Sequence, residues 1–203
     1  MNLLLLIGAP LLTAVAVLAA RNKAQVKSIS LTGSFIQLGL AVALLLAYQQ
    51  ERALNNTAQM LFEQQHLLFK TLNISFLFGV DGISVAMILL TSFVVVAGVL
   101  VSWNVEKMTK EFYFLLLLLG FGAYGFFISL DLFILFFFLE ISVIPKYLLI
   151  GIWGSGKKEY SANKLALMLM GGSALILVGI LLLYFNAGHS FDITELSQVT
   201  LGN

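Results

Sequence analysis

The chain has 203 residues, of which 60% are hydrophobic and 10% charged. Soluble domains carry about 25% charged residues, so this composition belongs to the membrane class. With no cysteine and a net charge of +1, it excludes disulfides, iron–sulfur clusters and thiolate chemistry within the chain, and a nucleic-acid face built on bulk charge.

A bilayer core of about 30 Å takes about 20 apolar residues as helix. Six segments meet or approach that length: residues 3–20, 31–48, 80–103, 112–129, 132–153 and 165–185. They predict an all-α, polytopic membrane protein with about six transmembrane helices in a single membrane domain, residues 1–203. Before the first apolar run there is no basic residue, and Arg21 and Lys23 follow it. That order is wrong for a cleaved export signal and predicts a retained span.

Between the second and third spans lies the longest connection, residues 49–78. Residues 58–70 place apolar side chains near helical spacing, predicting a helix lying along the interface. Residues 72–80 alternate weakly and read as a short extended segment. Asp81 and Asp131 each precede a long span, where a carboxylate can cap a helix N-terminus. The mixed-sign group Glu106, Lys107, Lys110 and Glu111 reads as a solvated loop. Gly120, Gly122, Gly125, Gly171 and Gly172 are expected to let neighbouring helices approach closely. The tail, residues 186–203, is polar, holds no evident anchor, and looks like a loop cut short.

The loop charges give an orientation. Odd-numbered connections hold Arg21, Lys23, Lys27, Lys107, Lys110, Lys157 and Lys158, whereas even-numbered ones hold Arg52 and Lys70. By the positive-inside rule the odd loops are cytoplasmic and the N-terminus lies outside. Trp103 and Trp153 both end spans on the cytoplasmic side, as interfacial anchors do.

Glu140 is the candidate for chemistry. Eight apolar residues separate it from Asp131, and at 1.5 Å per residue it sits roughly 13 Å into the fifth span, near the membrane midplane. Ionised carboxylates in hydrocarbon are costly, so the site must supply water, a partner or a proton. Five residues on, Pro145 cannot donate to the carbonyl of Ile141 and tends to kink the helix. Tyr147 is on the same helical face as Glu140 and its hydroxyl is a candidate relay. Lys146 faces elsewhere, about 9 Å further along the axis, so a direct pair with Glu140 is not expected; snorkelling towards the cytoplasmic headgroups accounts for it. Lys164 opens the sixth span and either snorkels or approaches Glu140 from the neighbouring helix. The bland alternative makes Glu140 a neutral acid hydrogen-bonded within a passive scaffold. The phenylalanines 136–138 read as lipid-facing or packing surface. His66 and His189 are far apart in polar segments, which argues against a histidine-rich metal or haem site. No P-loop, GxGxxG, HExxH or Ser/His/Asp set supports nucleotide binding or hydrolysis.

The run FFLEISVIPKYLLIGIWG, residues 137–154, resembles the fifth-helix motif of the antiporter-like membrane subunits of respiratory complex I, the proton-translocating NADH–quinone oxidoreductase, in the subunit M (chain 4) version. FGVDGIS (78–84) and KLALMLMGGS (164–173) are similar to its third-helix start and sixth-helix pattern. The resemblance implies a bundle built on inverted repeats. It implies proton translocation through Glu140 and Lys164, driven by quinone reduction elsewhere in the complex; Pro145, Tyr147 and Lys146 are the supporting candidates. It also implies no cofactor in this chain, with NADH, FMN, iron–sulfur clusters and quinone bound by other subunits. The partners implied are other membrane subunits of complex I, including neighbouring antiporter-like subunits, and the lipid bilayer, with no nucleic acid; the location implied is the bacterial inner (cell) membrane. A multi-subunit sodium/proton antiporter is the nearest alternative. Lys146 departs from the pattern, where methionine is commoner. The resembled subunits have about fourteen helices, so the chain is expected to be the N-terminal part of a longer subunit.

Overall fold

A backbone in hydrocarbon must pair its own polar groups, and the long apolar runs of this chain do so as helices. The protein was analysed as a computed structural model, which describes residues 2–54, 58, 60–69, 74–186 and 190–197. In chain order it forms α1 (Leu4–Ala19), α2 (Lys23–Ala53), β1 (Leu61–Phe69), β2 (Ile74–Val80), α3 (Gly82–Val101), α4 (Thr109–Ile128), α5 (Leu132–Trp153), α6 (Lys158–Asn186) and the single turn α7 (Ile193–Leu196). Helices α2 to α6 are long and apolar enough to cross a bilayer, and α1 is a shorter apolar helix beside them.

Two helices run past their apolar stretches. Before α2, Gln25 Oε1 accepts from the backbone N–H groups of Arg21 and Asn22, a reciprocal cap that starts the helix well ahead of the membrane segment. At 31 and 29 residues, α2 and α6 are roughly 45 Å long, more than a bilayer core requires. Asp81 and Asp131 cap as expected. Asp81 Oδ1 accepts from Ser84 N at 2.7 Å, and Asp131 Oδ1 accepts from Phe133 N at 2.9 Å and Ile134 N at 3.1 Å.

Helix α1 packs on α2 and α4, α2 on α3, and α4 and α6 flank α5. One buried cluster joins Leu6, Ala41, Val85, Tyr124, Ile134 and Phe138 from five helices. A second, around Val17, Val26, Val99 and Tyr113, fills the other end of α1–α4. Gly122 and Gly125 bring α4 onto α5: a Cβ at Gly122 would lie 3.0 Å from Ser142 Cβ, and one at Gly125 would overlap the Phe138 ring. Gly171 and Gly172 depart from expectation, because nothing lies within 4 Å of where their Cβ atoms would be; α6 touches the bundle chiefly through α5.

The connection after α2 also differs from its sequence reading. Residues 61–69 form a strand, antiparallel to β2 with Leu61 opposite Val80 and His66 opposite Phe76. A lone interfacial helix would have left the extended 74–80 segment without a ladder. Pairing satisfies both backbones, and Phe78 and Val80 bury against the bundle end. The left-handed φ of 58° at Phe62 accompanies the register shift between Leu61 and Gln64, as a bulge requires.

The tail does hold an anchor. Phe191 is buried, stacks on Tyr184 at 4.3 Å, and accepts from Leu132 N through its carbonyl at 2.9 Å. Leu130 N donates to Leu77 O at 2.8 Å and Ile193 N to Leu130 O at 2.9 Å, so the even-numbered connections meet at one end. At the opposite end Trp153 Nε1 donates to Lys107 O at 2.8 Å, Lys110 Nζ donates to Leu18 O at 3.1 Å, and the Lys27 ammonium lies 5.8 Å from the Trp103 ring centroid. The basic connections are thus gathered together, as alternating helix directions demand.

Replacing Gly125 by Val drives a branched side chain into the Phe138 ring and is expected to cost about 1–3 kcal/mol. Gly171→Ala meets open space and should be tolerated. Yield and thermal stability of the two variants in detergent test the pair; equal losses would contradict this account of the α4–α5 contact.

Candidate functional site

Helix α5 positions the site, because Asp131 fixes its start and Phe138 locks it onto α4 beside Gly125. Glu140, two residues beyond Phe138, is half-buried. Its Oε1 is buried with no hydrogen-bond partner. Among the described residues, neither Lys146 nor Lys164 forms an ion pair with it. One of its two carboxyl oxygens is thus enclosed without a partner among the described residues, so a charge there is costly to hold.

Lys164 is not brought to Glu140. Antiparallel α5 and α6 are in register with Gly151 against Ala162, whose Cβ lies 3.7 Å from the Cβ position of Gly151. Lys164 is therefore level with the last turns of α5, roughly 15 Å along the axis from Glu140. Its side chain leans further away, towards the α6 N-terminus, and is exposed. Tyr147 also points away from Glu140: its hydroxyl donates to Asn163 Oδ1 on α6 at 3.1 Å. Pro145 is buried within α5, which continues through it to Trp153.

Lys146 departs most from its sequence reading. Its Nζ donates to Ser142 Oγ at 3.1 Å, and Ser142 Oγ donates to Leu139 O at 2.7 Å. Ser142 is one turn deeper than Lys146, roughly 15 Å from either end of α5. The ammonium is thus at mid-helix, and it does not snorkel towards the headgroups. Helical side chains tilt towards the N-terminus, which in α5 means inward, and Gly122 on α4 leaves room beside Ser142. Cavities of about 230 Å³ against α4, 200 Å³ against α6 and 310 Å³ between α3 and α4 all have Lys146 in their walls.

A second polar set was not singled out from sequence. Gln37 is 2% exposed and donates Nε2 to Leu6 O at 2.9 Å, while the buried Tyr124 hydroxyl donates to Ser92 Oγ at 3.0 Å. Ser92 Oγ in turn donates to Ile88 O at 2.8 Å. Nothing marks these neutral residues in a sequence except their type inside apolar runs. They join α1 to α2 and α3 to α4. His189 lies outside the described residues, as does the His66 side chain, and no cluster of metal-ligating side chains occurs among the described ones.

Residues 129–203 match the family described as NADH:quinone oxidoreductase/Mrp antiporter, TM. That stretch contains Glu140, Pro145, Lys146 and Lys164. The NAD(P)H-quinone oxidoreductase chain 4 of Angiopteris evecta chloroplasts is 39% identical over 144 residues, 70% of this chain and 29% of that protein. The resemblance to the chain 4 type holds. This chain spans under a third of that relative's length. In respiratory complex I from Thermus thermophilus, one chain superposes with a TM-score of 0.81 at 21% identity, covering 96% of this chain and 38% of its own length. A chain of the Mrp complex from Dietzia gives 0.77 at 14% identity, over 97% of this chain and 20% of its own length. The fold is shared with part of those complex I and Mrp chains, and the chain is a multi-pass membrane polypeptide.

Interhelical hydrogen bonds in membranes average about 0.6 kcal/mol. Tyr124→Phe leaves Ser92 its own bond to Ile88 O, so a loss of that size is expected when reversible unfolding is followed in bicelles. A loss several times larger would mean that the pair does more than join α3 to α4.

Proposed function

We propose that this chain forms part of a proton-translocating membrane subunit of an NADH–quinone oxidoreductase, with Glu140 as the group that binds and releases the proton. The observation carrying this reading is the buried, partnerless Oε1 of Glu140 near the middle of a spanning helix, inside the stretch that matches the family. A charge at the centre of a spanning helix costs about 2.5–3.5 kcal/mol on insertion scales and more in simulations. Protonating Glu140 removes that cost, and ionising it restores it. Such a change is large enough to bias the packing of neighbouring helices when proton supply alternates.

The remaining residues take supporting parts. Lys164, on the first turns of α6, serves as a basic group at the cytoplasmic mouth and not as the immediate partner of Glu140. Pro145 leaves the Ile141 carbonyl free of a backbone donor, a polar point below Glu140. Tyr147 holds α5 to α6 through Asn163. NADH, FMN, iron–sulfur clusters and quinone are assigned to other subunits of the complex, whose reaction drives the proton. The partners are the other membrane subunits, neighbouring antiporter-like ones included. The bacterial cell membrane is the proposed location, with the basic odd-numbered loops in the cytoplasm and the N-terminus outside.

The Mrp likeness makes a sodium/proton antiporter subunit the second reading. Proton uptake into vesicles separates the two: NADH-driven, quinone-dependent transport supports the first, whereas sodium-driven exchange without either supports the second. In the full-length subunit, assembled in its complex, Glu140→Gln is expected to reduce proton translocation by about a hundredfold or more, the lower range of general acid–base effects. Wild-type translocation by an assembled Glu140→Gln complex would sink this reading and favour a passive scaffold.

A further inference from the structure

Lys146 has no role in the function proposed above, yet it too is a charge at depth that needs an explanation. Its Nζ is level with Ser142 at mid-helix, and Ser142 Oγ, at 3.1 Å, is its hydrogen-bond partner among the described residues. Because that hydroxyl gives its own proton to Leu139 O, it receives one N–H of Lys146 and leaves the other positions on Nζ facing the cavities. Lys146 is the one described residue that lines all three of them. The wall towards α3 and α4 includes Thr91 and Gly120, and that towards α6 includes Gly172 and Ser173. No carboxylate lines any of the three, so no fixed counter-ion faces the nitrogen from α3, α4 or α6. Each is an open cleft large enough for water, and each wall sets one hydroxyl (Ser142, Ser173 or Thr91) beside the ammonium among otherwise apolar residues.

An ammonium at this depth, with no anion beside it among the described residues, is costly unless water reaches it. We propose that Lys146 is a proton relay, in which the amine passes protons between water in the α3–α4 cavity and water in the α5–α6 cavity, across α5. In the forward step the nitrogen lone pair takes a proton from hydronium, an N–H bond forming as an O–H bond breaks. In the return step water on the other side takes a proton from the ammonium and leaves the neutral amine. Net transfer moves one proton and consumes nothing. The relay rests on the reading of Glu140 as the proton-carrying acid, with which it acts in series. Ser142 holds the amine in place between transfers.

The test separates a titratable amine from a fixed charge. In the assembled complex containing the full-length subunit, Lys146→Met and Lys146→Arg are both expected to lower NADH-driven proton flux by about a hundredfold or more, because methionine carries no proton and arginine does not release one. NADH oxidation by an artificial acceptor should be unchanged. This chain contains no cysteine, so Lys146→Cys offers a single thiol here. Alkylation with 2-bromoethylamine rebuilds a lysine-like amine and should restore most of the flux, whereas (2-bromoethyl)trimethylammonium installs a permanent cation and should not. Labelling of the peptide bearing position 146 is read by mass, with Ile144→Cys, 63% exposed on the outer face of α5, as the lipid-facing control. Full flux in Lys146→Met, rescue by Arg or by the quaternary cation, or failure of both reagents to reach position 146 would each overturn the relay. If Glu140→Gln blocks translocation while Lys146→Met does not, the relay fails and the Glu140 reading stands. If Glu140→Gln translocates normally, that reading fails with it.

Discussion

Hydrocarbon offers no hydrogen bonds, and this constraint organises the chain. Backbone groups respond by closing into helices, whose lengths then follow the apolar runs. Where the chain leaves the apolar phase, it pairs again at once. Asp81 and Asp131 cap helices, the 61–80 connection forms a two-stranded ladder, and residues 129–132 bond to β2 and to Phe191. Both ends of the bundle are therefore stitched by backbone bonds or by side chains that end on carbonyls, such as Trp153 on Lys107 and Lys110 on Leu18.

The same constraint sorts the polar side chains at depth into two kinds. Gln37, Ser92 and Tyr124 donate to partners within the bundle, and their small expected contribution identifies them as links between helices. Gln37 Oε1 is buried without a partner too, but a neutral amide carries no charge; Glu140 and Lys146 are different because each can. One carries a buried oxygen with no partner, and the other is held by a single hydroxyl beside three cavities. Groups in that condition persist at a cost of several kcal/mol unless protons or water enter. On the proposed translocating reading, those are the quantities that move.

Helix α5 carries both groups on different faces. Glu140 and Lys146 are six residues apart, which places them on separate sides of one helix. Glu140 is in the wall of none of the three cavities that Lys146 reaches. Gly122 and Gly125 on α4 admit α5 closely enough to hold Ser142 and Phe138 in place.

The spanning segments, the capping aspartates, the deep carboxylate and the kinship of the 137–154 run were all legible in the residues, because hydrophobic length and local capping depend on near neighbours. Other features were not, and three of them show why. Helical spacing in 58–70 suggested a surface helix, but the availability of 74–80 as a partner strand made extended pairing better. Lys164 seemed able to reach Glu140, yet the α5–α6 register, set by Gly151 against Ala162, keeps them apart. Lys146 read as a snorkelling side chain since composition gives depth but no direction. Its tilt towards the helix start, the hydroxyl of Ser142 and the room beside Gly122 turn it inward. The sequence by itself determined where the chain enters and leaves the apolar phase; only the tertiary structure decided which polar groups meet there, since that depends on helix register and rotation, which packing between distant segments sets.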